Sequence, residues 1–425
     1  MEYLPEAQTR GSDRGTPFAV ASYYFWSLAG LAILYPYLPL YWKSLGCSQH
    51  EIHTLLTALG LGGLIAQAPL GYLSDRGGKR RRFVFGLMAT GGVSMLAYGL
   101  SHSFWVLLVL TLVQSACFRS ADALVQALVG DWVSGTRMAT LFGRVRLAGS
   151  VGWFSSLLLS ARVALMTDTR PLHAAEWASP MFLVVAGCNF AAAASILIAR
   201  SAPARKRLSI GPITALTNVM RAPGVGRFLL AVLLFWTGLQ SVNAFLSLLL
   251  QQMGAGHQVI STAFVVSAVA ETPFILLAGR MAERWGERRL LLAAFAAMPV
   301  RLLILAAMPT PEWAYASQAL HSVTYGLAMV GTVAFMNHRL PGTLRASGQA
   351  ALGVVLSASN TLAPFLGGFI VRWAGYRGAF AAMAVITIFG WVILGSTRED
   401  SGQKNGNQEG TDGKWRLRGS ARSDA

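Results

Sequence analysis

Gly71-Tyr72-Leu73-Ser74-Asp75-Arg76-Gly77-Gly78-Lys79-Arg80 has a second version in Gly279-Arg280-Met281-Ala282-Glu283-Arg284-Trp285-Gly286-Glu287-Arg288. Each residue of the second stands 208 positions after its counterpart. A glycine, an acid, an arginine, a second glycine and a basic close recur in order, each time after one apolar run and before another. The chain is therefore a duplication, and the unit that is duplicated is a set of apolar segments joined by a basic loop.

Composition says what those segments face. Of 425 residues, 12% are charged and 54% hydrophobic, and mean hydropathy is +0.49. A water-soluble globular chain carries roughly 25% charged residues, so this much apolar surface must meet lipid. Disorder, coiled coil and a disulfide scaffold are excluded with it. The three cysteines, Cys47, Cys117 and Cys188, are scattered and none reads as a metal ligand. The first sixteen residues are polar and no cleavable leader is expected.

A membrane-crossing helix needs about 20 mainly apolar residues. Twelve runs qualify, read as spans 1 to 12: 17–42, 49–73, 83–101, 104–132, 138–161, 177–199, 225–252, 258–282, 289–308, 313–337, 346–371 and 377–397. The basic linker 200–224 parts two six-helix bundles, 17–199 and 225–397, with cytoplasmic tails at 1–16 and 398–425, the second read as disordered. Placing the N-terminus in the cytoplasm puts 28 of the 35 Lys and Arg on that side and five on the other. Both termini are therefore expected in the cytoplasm. The net charge of +17 is explained by topology and by anionic headgroups at these loops, with no need of nucleic acid.

Ionisable residues inside such spans are costly and so point to function. Arg119 and Asp122 fall in span 4, Arg144 and Arg146 enter span 5, and Glu271, Arg301 and His321 fall in spans 8, 9 and 10. Arg119 and Asp122, at i and i+3, can neutralise each other; alternatively Asp122 partners Arg146 and leaves Arg119 for an anionic or hydroxylated solute. Arg146 and Trp153 lie two turns apart on one face, where a guanidinium and an indole can share a ring-bearing solute. Gln114, Gln240, Asn243, Tyr325 and Asn360 complete the candidate cavity, although a buried amide more often bonds a neighbouring helix.

The segment from Gly71 to Phe83 resembles the loop signature of the major facilitator superfamily, G-x-L-a-D-R-x-G-R-K. That resemblance implies an all-α membrane fold of twelve helices in two repeats and alternating-access transport of a small molecule by a monomer. It also implies a conformational latch built from Gly71, Asp75, Arg76, Gly78, Gly279, Glu283, Arg284 and Gly286. Phe142-Gly143-Arg144-Val145-Arg146 through Gly149, Gly152 and Trp153 is similar to the lactose permease branch, which implies substrate roles for Arg146 and Trp153. In the same comparison proton-coupling roles fall on Glu271, Asp122, Arg301 and His321. Tyr35-Pro36-Tyr37-Leu38-Pro39-Leu40-Tyr41 and Leu320-His321-Ser322-Val323-Thr324-Tyr325-Gly326 look closer to the phenylpropionate transporters. Three positions depart from these relatives. Thr324 stands where lactose permease has a proton-carrying carboxylate, Gln318 where it has a lysine, and Arg119 where both branches have proline or an apolar residue.

No phosphate-cradling loop, zinc-protease helix or nucleophile elbow occurs, so no enzyme activity and no cofactor is expected. An ion or solute gradient must drive transport. The resulting expectation is a proton-coupled importer of an aromatic acid of phenylpropionate type, a sugar or a nucleoside in a bacterial inner membrane. An export antiporter, or a membrane sensor or enzyme on the same fold, are the rivals. Span 5 lacks the G-P-x-x-G-G run usual in drug antiporters, which weighs against export.

Overall fold

At 1.5 Å per residue the apolar runs are long enough to cross a bilayer as helices, which satisfy every backbone group internally. The structure, a computed structural model, describes residues 15–77, 80–132, 136–167, 174–199, 217, 219–340 and 344–397. The tails and most of the linker lie outside the described residues. So do Gly78 and the side chains of Asp75, Arg76, Arg144, Arg146 and Glu283.

Among the described residues the helices are α1 Gly15–Ser44, α2 Gln49–Gly77, α3 Arg80–Gly99, α4 Phe104–Trp132, α5 Thr136–Thr167, α6 Ala174–Ile198, α7 Val225–Gln252, α8 His257–Trp285 and α9 Glu287–Ala307. α10, Pro311–Arg339, is composite, because its middle, Ser322–Leu327, widens into a π-helical turn. α11 (345–374) and α12 (376–396) run on with a single break at Gly375, whose φ of 66° suits glycine. Each helix coincides with an expected span to within a few residues. α3 and α8 are more polar than most: α3 opens on Arg80, Arg81 and Arg82, and α8 carries Glu271 at its middle and Arg280 and Arg284 at its end.

α1 packs on α5 and α6, α2 on α4, and α3 on α4 and α6. α7 and α9 pack on the α11–α12 segment, and α8 and α9 on α10. Between these two groups α2 meets the α11–α12 segment, α5 meets α8, and α1 meets α7. α7 is the most enclosed of these helices, with an almost continuous buried run from Phe235 to Leu250. In the first group Trp42 Nε1 donates to Tyr98 Oη at 2.6 Å, and Tyr98 bonds Thr111 at 2.9 Å, tying α1, α3 and α4.

The groups meet tightly at the end that bears the 45–48, 253–256 and Gly375 connections. Tyr37 of α1 lies 5.7 Å from the His257 ring of α8. His53 of α2 packs edge-on against Phe245 at 5.4 Å and Tyr376 at 6.2 Å. Gly60 lets α2 touch the backbone of α11 at Asn360 and Thr361, and a Cβ at Gly368 would sit 3.0 Å from His53. At the basic end, Arg81 donates to Ala199 O at 2.6 Å, Arg288 to Gly395 O at 2.8 Å, and His338 bonds Glu287 at 2.9 Å. Each of those contacts stays within one group.

Candidate functional site

A cavity, part of it open to solvent, lies between the two groups. α1 gives Leu31, Leu34, Tyr35, Leu38 and Pro39 to its wall, and α2 gives Leu56, Leu59 and Gly60. α4 contributes Gln114, Ser115, Phe118 and Arg119, α7 Gln240, Asn243 and Ala244, and α11 Asn360 and Pro364. The lining is largely apolar, with four amides and, among the described residues, a single formal charge. Arg119, Gln240 and Asn243, expected from the sequence as substrate groups, are thus brought together.

Packing explains how Arg119 arrives there. Gly63 of α2 has no side chain, and a Cβ in its place would overlap Cβ and Cγ of Arg119. Ser115, one turn earlier on α4, accepts from Gly63 N at 3.1 Å and donates to Leu59 O. The arginine stem is therefore laid along α2, and Arg119 lines the cavity. Asp122 does not neutralise it, because no ion pair joins the two among the described residues; Asp122 instead accepts from Gln126 Nε2 at 2.8 Å. The i,i+3 pairing allowed by the sequence is not formed.

The amides are partly committed. Asn243 Nδ2 donates to Gln240 Oε1 at 2.7 Å, and Asn360 Nδ2 to Leu356 O at 2.9 Å. Trp153 is set behind Tyr35, with ring centroids 6.1 Å apart and planes at 52°; Tyr35 is the ring that lines the cavity. The Arg146 side chain lies outside the described residues.

The second group of helices holds the other ionisable cluster. Glu271 Oε2 of α8 lies 3.4 Å from His321 Nε2 of α10, both side chains being largely buried. The His321 ring stacks on Tyr325 at 5.1 Å, and Tyr325 meets Trp236 of α7 edge-on at 5.6 Å. Tyr325, expected as a substrate group, therefore stands in this cluster. His321 Nδ1 is buried without a hydrogen-bond partner.

Arg301, 1% exposed, is held wholly by neutral acceptors. Its Nη2 donates to Gln318 Oε1 at 2.6 Å, Nε to Ser317 O at 3.1 Å and Nη1 to Thr324 Oγ1 at 3.4 Å. Ser317 Oγ returns a bond to Arg301 O at 3.2 Å. Gln318 and Thr324, two of the departures from lactose permease, are thus the side chains that bind this guanidinium. Glu271 acts on Arg301 through space. The π-helical turn Ser322–Leu327 begins directly after His321 and shapes this cluster; such turns concentrate at functional sites. Periodicity gives no sign of it. His53, which seals the opposite end, is also absent from the sequence-based candidates, although a histidine inside an apolar run is a visible signal.

Of the latch positions, Gly71 has no described atom within 4 Å of where a Cβ would stand, Gly279 lies within α8, Gly286 takes a positive φ of 79° between α8 and α9, and Arg284 is exposed. Gly78 and the side chains of Asp75, Arg76 and Glu283 fall outside what the structure describes.

A protein-family model described as "MFS_1 like family" matches residues 18–382. Maltose permease of Geobacillus stearothermophilus is 22% identical over 380 residues, covering 88% of this chain and 92% of that protein. The multidrug resistance protein MdtG of Yersinia enterocolitica is 22% identical over 383 residues, covering 85% and 87%. Among solved structures, a point mutant of the nucleoside transporter NupG superposes with a TM-score of 0.76 at 15% identity, covering 90% of this chain and all of that one. The human organic anion transporter MFSD10 does so at 0.66 and 15%, covering 91% and 100%. The fold is the one these transporters share.

Proposed function

The chain belongs to the MFS_1 like family of the major facilitator superfamily, and from that premise we propose that it imports a small organic solute together with protons by alternating access. It is an all-α, multi-pass membrane protein of a secondary-transporter family, not of an enzyme family. The observation that carries the coupling is the Glu271–His321 pair, 3.4 Å apart within otherwise apolar helices. A carboxylate and an imidazole that share a buried site bind and release a proton with a change of pairing.

In this reading the bundles are 17–199 and 225–397, joined by 200–224, and the basic loops face the cytoplasm of a bacterial inner membrane, as the count of Lys and Arg supports. The sealed end then faces outward and the molecule is in an inward-facing state. The Gly71–Arg76–Gly78 and Gly279–Arg284–Gly286 loops, with Asp75 and Glu283, close on each other in the opposite state. The solute is of the size of an aromatic acid, a sugar or a nucleoside. The likeness to multidrug resistance proteins favours a second reading, proton-driven export through the same cavity. Uptake into right-side-out and inside-out vesicles under an imposed pH gradient separates them. Accumulation in the lumen when the outside is made acid supports proton-coupled import, and accumulation in the lumen only when the lumen itself is made acid overturns it.

A further inference from the structure

We infer that the solute is a small organic monoanion with an apolar body, whose carboxylate or equivalent oxyanion is held by Arg119. The inference rests on the transport reading above and names the substrate class for the same cavity. Its first ground is charge. Among the described residues Arg119 is the one charged side chain in the cavity wall, and Asp122, three residues on, is bonded to Gln126 and forms no ion pair with it. A guanidinium left unpaired in a low-dielectric space is costly, and its fork of donors matches a carboxylate. One negative charge balances it, whereas a neutral solute leaves it uncompensated and a dianion reverses the excess.

The second ground is the set of uncharged polar groups. A polyhydroxyl solute needs several free acceptors, ordinarily with a carboxylate among them. Here Asp122 is bonded to Gln126 and does not line the cavity, while Asn243 and Gln240 are bonded to each other. The amides of Gln114, Gln240, Asn243 and Asn360 can orient a polar head, but among the described residues no carboxylate stands with them. The third ground is the rest of the lining: leucines of α1 and α2 together with Phe118 make much of it apolar, which suits an alkyl or aryl body.

The anion also has a consequence for the proton. As the two solutes of one transport cycle, anion and proton are expected to favour each other's binding, reciprocally.

The test uses the purified full chain and measures equilibrium binding, with melting temperature as a fold control. The probes are 3-phenylpropionate, benzoate and octanoate, each beside its primary amide, with maltose and uridine as neutral solutes. At least one carboxylate is expected to bind while its amide does not. Arg119→Gln should weaken it by at least about tenfold, with Arg119→Lys retaining more than Arg119→Gln. Equal binding of carboxylate and amide overturns the inference, as does carboxylate binding that Arg119→Gln leaves unchanged, or silence from all three carboxylates. If Arg119→Gln does not fold, the comparison of acid with amide on the wild type still decides. Proton-driven uptake of maltose or uridine would keep the transport reading and remove this one; Arg119-dependent carboxylate binding without pH-driven uptake would do the reverse.

Discussion

Arg301 of α9 donates through Nη2 to Gln318 Oε1 of α10 at 2.6 Å, so a fully buried guanidinium is met by an amide where a carboxylate would be the usual partner. Because Gln318, Ser317 and Thr324 satisfy its hydrogen bonds without cancelling its charge, Arg301 remains a fixed positive neighbour of Glu271. Taking up a proton adds one charge to the cluster of Arg301, Glu271 and His321.

Removing the amide should expose the cost of that charge. Gln318→Leu is expected to destabilise the protein by about 1.5 to 3 kcal/mol, the worth of a hydrogen bond to a charged group. Adding Arg301→Met should recover most of the loss, because replacing both partners of a buried polar pair with apolar groups is far less harmful than removing one. Thermal melts of the two variants in detergent check this; additive losses would show that Gln318 is not a partner Arg301 needs.

Glu271 and Asp122, both candidates for the proton from the sequence, are separated by their surroundings. Glu271 faces His321 inside the second group of helices, whereas Asp122 accepts from the exposed Gln126. Glu271→Gln is expected to abolish uphill accumulation and solute-driven alkalinisation while exchange persists. Asp122→Asn should keep both. The assignment fails if Glu271→Gln still moves protons with solute.

The close approach of α2 to α11 predicts opposite shifts from two glycines on one helix. Gly60→Val cannot be accommodated against Asn360 and Thr361, so it should open the sealed end. Gly71→Val meets no described atom within 4 Å in the present state. It should instead impede closure of the basic loops and favour the state seen here, as should Asp75→Asn if Asp75 fastens that closure. Spin-label distances across each end of the molecule report the populations. A shift in the same direction for both valine variants would contradict the arrangement.

Much of this was legible in the sequence because bilayer thickness imposes one length on every helix, and the basic loops mark each turn. Spans 4 and 7, for example, coincide with α4 and α7 at both ends. Arg119, Gln240 and Asn243 were legible as cavity residues because polar groups in such helices are rare. What the sequence left open depended on side-chain direction between helices. The i,i+3 spacing of Arg119 and Asp122 permits a pair, and only the neighbouring Gly63 and Gln126 decide that none forms. Likewise, Gln318 and Thr324 stood out as departures, but their joint attachment to Arg301 needs the packing of α9 on α10 together with the π-helical turn.

Trp153 supports the cavity from behind Tyr35, so its loss should act through that ring. Trp153→Ala is expected to weaken binding of a ring-bearing carboxylate by about 1 kcal/mol, and Trp153→Phe by less, since an aromatic contact of this kind is worth about 0.5 to 1.5 kcal/mol. Tyr35→Ala should cost at least as much as Trp153→Ala. In the double variant the two losses should combine to less than their sum, because the indole has nothing left to support. Titration calorimetry of the four proteins with 3-phenylpropionate checks it; full additivity would mean that Trp153 contacts the solute by itself.

The last prediction concerns charge movement. If Arg119 holds one monoanion and the Glu271–His321 pair takes one proton, each transport cycle moves no net charge. Proteoliposome uptake should then respond to an imposed pH gradient and stay unchanged when a potassium and valinomycin clamp sets the membrane potential. Over the range from about pH 8 to about pH 6 a carboxylate of ordinary pKa stays ionised, so the number of anions is constant while protons become more abundant. Anion affinity should therefore rise on acidification through this range. Glu271→Gln, which fixes the proton site as if occupied, should bind the anion at the alkaline end of that range as tightly as the wild type does at the acid end. Uptake that accelerates with inside-negative potential would require more than one proton per anion, and affinity that falls on acidification would separate the two sites altogether.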